Sequence, residues 1–268
     1  MRASVGPRVL ALTSGKGGVG KTTFAVNLAV RLAEMNRKVA LFDADFGLGN
    51  ICISMGLDPD LTLEHIFFGN KTIREVCIQG PRGIQIIPGG SGIESLTRIP
   101  KESMMQFATD LQAFAQDQDY FIMDTGAGIG QNVMFFLKIA HEIILVTTPE
   151  PTAMADAYGL IKAFFEIQPR ARVFLLINRC HSTMEAKTVE NKFKVAVRKF
   201  LRKPVDFLGF VMQEAQVLEA SRNQKVYILE YPNSVVSKNM FRVANKLDGA
   251  AVKGDQPSLL ERIMDFLQ

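Results

Sequence analysis

The chain has 268 residues, 47% of them hydrophobic and 22% charged, a balance that describes a soluble globular protein of one or two domains. No apolar run approaches the ~18 residues of a spanning helix, and Met1 to Arg8 holds no secretion-signal core. A formal charge of +4 is too small to imply nucleic acid by itself. Cys52, Cys77 and Cys180 are odd in number and lack a C-x-x-C pair, which points to a reducing cytoplasm and to neither a disulfide framework nor a metal site.

The first apolar run, Val9 to Thr13, reads as a buried strand, and Phe24, Ala25, Leu28, Ala29, Leu32 and Ala33 recur at helical spacing to about Asn36. Between them lies Gly15-Lys16-Gly17-Gly18-Val19-Gly20-Lys21-Thr22-Thr23, which fits G-x-x-x-x-G-K-S/T, the phosphate loop of nucleotide triphosphatases. Glycines there let backbone N–H groups turn toward phosphate oxygens, and the helix adds its free N-terminal donors and dipole. Lys21 is expected to reach the β- and γ-phosphates of ATP, and the Thr22 hydroxyl to ligate Mg²⁺.

A second strand, Val39 to Phe42, runs into Asp43-Ala44-Asp45-Phe46-Gly47-Leu48-Gly49-Asn50. Carboxylates at the carboxyl end of a buried strand sit where open α/β sheets bind ligands, and alternate residues of an extended segment share a face. A loop at Asp58-Pro59 and a short helix over Leu61 to Phe68 are expected. A third strand is expected over Ile84 to Pro88, closed by Gly89-Gly90-Ser91-Gly92, and a helix over Lys101 to Gln116. Tyr120-Phe121-Ile122-Met123-Asp124 is an apolar strand ending in an acid, which suits a Walker B carboxylate reaching the metal shell beside Thr22. Thr125-Gly126-Ala127-Gly128-Ile129-Gly130 follows as a segment free to move when a γ-phosphate leaves.

Further strands are expected at Glu142 to Thr148, Val173 to Arg179 and Phe207 to Val211. Helices are expected from Pro151 to about Phe165, from Glu185 to Leu201, from Val217, and from after Ser234 to Leu247. The Glu185–Leu201 helix and its end carry Lys187, Lys192, Lys194, Arg198, Lys199, Arg202 and Lys203 against Glu190, either as a solvated face or for an acidic or polyanionic partner. Strands alternating with helices argue one α/β domain over residues 1–248, with a mainly parallel sheet and helices on both faces.

Residues 249–257 read as a tether, and 258–268 as a short amphipathic helix opened by a Ser258–Glu261 capping box. At ~100° per residue Leu259, Leu260, Ile263, Met264, Phe266 and Leu267 fall on one side. That side either docks on the protein's own core or lies in a membrane interface, where two copies in a dimer gain by avidity. Glu261 and Asp265 against Arg262 make its polar face unlike the Lys- and Arg-rich face usual at membranes.

The second lysine in the loop, as Lys16-Gly17-Gly18-Val19-Gly20-Lys21-Thr22, resembles the deviant Walker A of the MinD/ParA ATPases. The resemblance implies a P-loop NTPase fold and slow, dimerisation-dependent ATP hydrolysis. Lys16 then crosses an ATP-bridged homodimer to the partner's phosphates. It further implies that Asp43 supports the Mg²⁺ shell, that Asp45 orients the attacking water, and that Asn178, with Arg179 beside it, reads adenine. A plain turn role for Asn178 stays open. The segments Asp43 to Asn50, Asp124 to Ile129 and Thr147 to Tyr158 are similar to the flagellar branch, the FlhG (FleN, YlxH) regulators of flagellar number and placement. That likeness implies an FlhF-type GTPase and flagellar switch components as partners, and a cytoplasmic protein peripherally associated with the inner membrane face. Two departures are visible. Met1 to Arg8 lacks the family's FlhF-activating D-Q-A-x-x-L-R motif, and Val211-Met212-Gln213-Glu214 stands where relatives carry Ile-Pro-x-Asp. A ParA-type DNA partition ATPase and a MinD-type division-site regulator are the alternatives.

Overall fold

The computed structural model describes residues 6–46, 49–90, 99–251 and 257–267. Gly47 and Leu48, Ser91 and Gly92, Met1 to Val5 and most of the expected tether therefore lie outside the described residues.

The amino-terminal half runs β1 (Arg8–Ser14), α1 (Lys21–Glu34), β2 (Val39–Ala44), α2 (Ile51–Ser54), α3 (Leu63–Phe67), α4 (Ile73–Val76), β3 (Ile78–Gln79), β4 (Gln85–Ile87), α5 (Lys101–Gln116) and β5 (Tyr120–Ala127). It continues with α6 (Gln131–Ile139), β6 (Glu142–Thr147), α7 (Pro151–Ile167), β7 (Arg172–Cys180), α8 (Thr183–Leu201) and β8 (Asp206–Met212). The chain closes with α9 (Ala215–Arg222), α10 (Tyr227–Glu230), α11 (Val235–Gly249) and α12 (Leu259–Leu267).

The strands form one sheet in the order β3-β4-β2-β5-β1-β6-β7-β8, parallel throughout except for the β3–β4 pair. Every residue of β1, β2 and β6 is buried, as expected of parallel strands covered on both faces. Phe42, Phe121 and Phe136 pack with Phe107 in the core on one face, formed with α3 to α8 and α12. The opposite face is covered by α1, α2 and α9 to α11. β1 lies between β5 and β6, so the chain leaves it in one direction for β2 and later returns on its other side. Crevices open at such reversals, at the carboxyl ends of the strands, and the Gly-rich loop after β1 sits there.

Where sequence and structure differ, local backbone geometry is the reason. α1 stops at Glu34 because Asn36 turns left-handed (φ 61°), with its N–H and that of Arg37 bonded back to Ala33 and Leu32. The basic helix begins two residues earlier than expected, at Thr183, because Ser182 caps it by accepting the Glu185 N–H. The α6 helix was not anticipated: it follows directly on the glycine-rich segment Thr125 to Gly130, and no element was assigned to its residues. α11 extends to Gly249, and the Ser234 hydroxyl accepts from Ser237 N–H at its start.

α12 takes the docked alternative. Leu259 and Ile263 are fully enclosed against α5 and α6, and Phe266 meets Phe135 edge-on at 4.7 Å. Arg262 donates to the carbonyls of Lys138 and Ala140 at the end of α6. The expected capping box is present in both directions, Ser258 N–H to Glu261 and Glu261 N–H to Ser258 Oγ.

Candidate nucleotide site

β1 delivers the loop and α1 receives it. Gly18 and Gly20 have φ of 76° and 89°, in the left-handed region that glycine tolerates. A Cβ on Gly20 would stand 2.4 Å from the Asn178 amide nitrogen, and one on Gly15 would stand 2.1 Å from the backbone of Asp156. The loop is thus laid directly on α7 at one end and on the end of β7 at the other. The N–H groups of Gly17, Gly18, Val19 and Gly20 donate to no protein acceptor among the described residues. Together with the start of α1 they form a cradle of unpartnered donors that suits an anion.

Beside the cradle β2 and β5 place Asp43 opposite Asp124 in register, both buried. Lys21 Nζ donates to Asp124 Oδ1 at 2.7 Å in a buried ion pair. Asp43 accepts from the N–H of Ile51 at 3.0 Å and of Asp45 at 3.3 Å. Burial pushes the Asp43 carboxyl up to about 7, and the neighbouring charge of Asp124 adds to this against the two N–H donors and Lys21. Two buried carboxyl groups thus share a single ammonium, and a further cation beside them would favour the ionised form of Asp43. That donor set, with Thr22 on the first turn of α1, fits a hard divalent cation such as Mg²⁺. Bound there, Mg²⁺ would neutralise phosphate charge and orient the phosphate chain. Asp45 lies against the glycine-containing end of β5, its Oδ1 3.4 Å from where a Cβ on Gly126 would stand.

Lys16 is turned elsewhere. Its Nζ lies 3.0 Å from Glu150 Oε2 and 3.0 Å from Thr152 Oγ1, at the junction of β6 and α7. The single chain therefore brings Lys21, Asp43 and Asp124 together, with Thr22 next to Lys21 on α1 and Asp45 two residues beyond Asp43, and holds Lys16 apart on Glu150 and Thr152.

On the other side a cleft of about 600 Å³ is lined by Gly20, Asn178, Arg179, Met212, Gln213 and Tyr227, among others. The Asn178 amide donates to the Val19 carbonyl at 2.8 Å, so it braces the phosphate loop as well as facing the cleft. Arg179 takes a left-handed conformation there, and Gln213 N–H is bonded to the Cys180 carbonyl. Asn27 of α1 accepts the Ile228 N–H and so ties α10, next to Tyr227, to the phosphate helix. Sequence reasoning missed Asn27, Glu150, Thr152 and Tyr227. Glu150 and Thr152 stand in a segment singled out for its likeness to relatives, but no spacing rule pairs them with a lysine 134 and 136 residues away.

The ParA model, described as "NUBPL iron-transfer P-loop NTPase", matches residues 7–248. The chain belongs to the ParA family of P-loop NTPases. It is an ATPase of the MinD/ParA kind. It is 36% identical to the antiactivator FleN of Pseudomonas aeruginosa, over 97% of this chain and 93% of that protein. It is 31% identical to the flagellum site-determining protein YlxH of Helicobacter pylori, over 97% and 90%. Among solved structures, MinD of Pyrococcus horikoshii complexed with Mg-ADP superposes with a TM-score of 0.75 at 21% identity, over 91% of this chain and 96% of that one. MinD in the MinC:MinD complex of Aquifex aeolicus gives 0.74 at 22%, over 93% and 98%. These two likenesses carry the fold alone.

Proposed function

We propose that this ATPase is a dimerisation switch that helps set flagellar number or placement. The observation that carries the reading is similarity to FleN and YlxH over nearly the whole chain, in a molecule that keeps Lys16, Lys21, Thr22, Asp43, Asp45 and Asp124. The loop N–H groups and Lys21 take up the triphosphate, while Thr22, Asp43 and Asp124 hold the Mg²⁺ and its waters. Lys16 leaves Glu150 and Thr152 and reaches the phosphates of a second protomer, supplying in trans the kind of cation worth ~10³–10⁵ in rate. Asp45 orients the water that attacks the γ-phosphorus. The bond to the bridging oxygen breaks, ADP and phosphate leave, and the two chains separate. An FlhF-type GTPase and components of the flagellar switch are the partners in this reading.

The same reading makes the protein peripheral to the inner face of the cell membrane. Its support is the amphipathic pattern of α12, whose apolar side is engaged by α5 and α6 in the single chain. Lipid must then compete with that docking, and dimerisation supplies two helices at once. The test is sedimentation velocity of the full chain with ADP and with a non-hydrolysable ATP analogue. A dimer only with the analogue is expected, and a monomer under both conditions refutes the switch. Flagellar counts in cells lacking the gene test the pathway.

A further inference from the structure

The basic helix α8 is used by nothing in the nucleotide site. Its inward stripe of Ala186, Val189, Phe193 and Val197 is buried on β7 and α7. Among its cations, Lys194 pairs with Glu190 at 2.7 Å and Lys203, just beyond it, donates to the Pro169 carbonyl. Lys187, Lys192, Arg198, Lys199 and Arg202 are exposed and in no ion pair among the described residues. The same helix bares Met184, Val195 and Phe200, which are 73%, 64% and 67% exposed. At ~100° per residue Met184 and Val195 share one line, with Lys192 and Lys199 on one flank and Lys187 and Arg198 on the other.

We infer that the outward face of α8 is a docking surface for an anionic phospholipid membrane. Cations flanking bare apolar tips match a surface of negative headgroups over an acyl interior. Duplex DNA would engage the cations but gives Met184 and Val195 nothing to bury against. An acidic amphipathic peptide needs a groove, whereas a helix seated on β7 and α7 presents a ridge. Position agrees with this choice. α8 and α12 lie on the same face of the sheet, and the charges of α12 are Glu261 and Asp265 against Arg262, whose guanidinium already serves α6. An anionic leaflet repels α12 taken alone, and α8 supplies the attraction that it lacks. The inference rests on the membrane part of the proposed function, with α8 as a separate contact.

The test is co-sedimentation of the full chain with vesicles of phosphatidylcholine alone and of phosphatidylcholine mixed with phosphatidylglycerol, with duplex DNA as competitor. Binding should require phosphatidylglycerol and fall roughly fivefold for each cation removed in Lys192→Ala/Lys199→Ala. Lys192→Arg/Lys199→Arg should restore it, and Met184→Ser/Val195→Ser should weaken it at every salt concentration. ATP hydrolysis should be unchanged in all of these, because α8 lends no residue to the nucleotide cleft. Equal sedimentation of the alanine variant, indifference to phosphatidylglycerol, or preferential capture by DNA overturns the proposal. Binding that vanishes in Leu260→Ser/Phe266→Ser but survives the α8 variants sinks α8 and keeps α12; the opposite pattern does the reverse.

Discussion

Lys16 Nζ stands 3.0 Å from Glu150 Oε2, across the gap between the phosphate loop and the start of α7. The two side chains are 40% and 59% exposed, so the pair is of the solvated kind that contributes about 0–1 kcal/mol. A contact this weak holds a lysine in place yet yields to a phosphate. Removing it in Glu150→Ala should tighten ATP-dependent dimerisation by up to about fivefold per protomer, read by sedimentation velocity across protein concentration. Lys16→Ala should bind nucleotide and stay monomeric. Weaker dimerisation in Glu150→Ala would mean that Glu150 serves the assembled state instead.

Asp45→Ala should retain nucleotide binding while hydrolysis falls by ~10²–10⁴, the range for a lost water-orienting group. Phosphate release measures the rate, and gel filtration should show accumulated dimer. A normal rate would remove Asp45 from the mechanism.

Lys21 balances buried Asp124 at 2.7 Å, so its loss affects the fold as well as binding. Lys21→Ala should lower unfolding stability by about 3 kcal/mol, because an uncompensated buried carboxylate is left behind. Adding Asp124→Asn should recover much of that loss without restoring ATP binding. Urea midpoints of the single and double variants check it, and additive losses would show that the pair is not coupled.

Burial pulls the His141 imidazole down to about 4, aided by the positive charge of Arg262 and opposed by the Pro257 carbonyl and Glu142. Its Nδ1 accepts the Val9 N–H, so its Nε2 carries the proton shared with the Pro257 carbonyl. A histidine with a depressed folded value stays neutral in the fold while the unfolded chain takes up a proton. The stability is therefore present above the unfolded value of ~6.5 and is lost as pH falls toward 4. Between neutral pH and pH ~5.5 the loss should be roughly 1 kcal/mol. Urea denaturation at the two pH values should show it as the difference between the native chain and His141→Gln, because the raised Asp43 carboxyl, which acts in the opposite sense, is common to both.

Ile263 of α12 is fully buried where the helix docks on α5 and α6, and Ile→Ala at such a site costs ~2–5 kcal/mol. Ile263→Ala should raise hydrogen exchange in residues 259–267 and along α5 and α6, with the central strands protected as before. Uniform loss of protection would mean that α12 opens only with the whole domain.

The phosphate loop, the two acids at strand ends and the alternation of strands with helices were legible because each is local chemistry. A glycine-rich turn must sit between strand and helix, and an apolar run ending in Asp places its carboxylate at the carboxyl end of the sheet. The α8 boundary slipped by two residues because Ser182 caps through a backbone contact that hydropathy does not register. β3 escaped notice because two residues give no period. The Asn178 amide could be read as facing a base, but its brace on the Val19 carbonyl depends on how β7 ends beside the loop.

By itself the sequence marked out a phosphate loop, named the lysine and hydroxyl expected to meet a nucleotide, and gave the last helix one apolar side. Those are properties of neighbouring residues and of a 3.6-residue period. Tertiary structure alone decided that Asp43 faces Asp124, that Lys16 rests on Glu150 and that α12 lies on α5 and α6. Each of these joins residues far apart in the chain. Parallel strands can become neighbours only through crossovers, so the order β2-β5-β1-β6, and not any local pattern, sets which side chains meet.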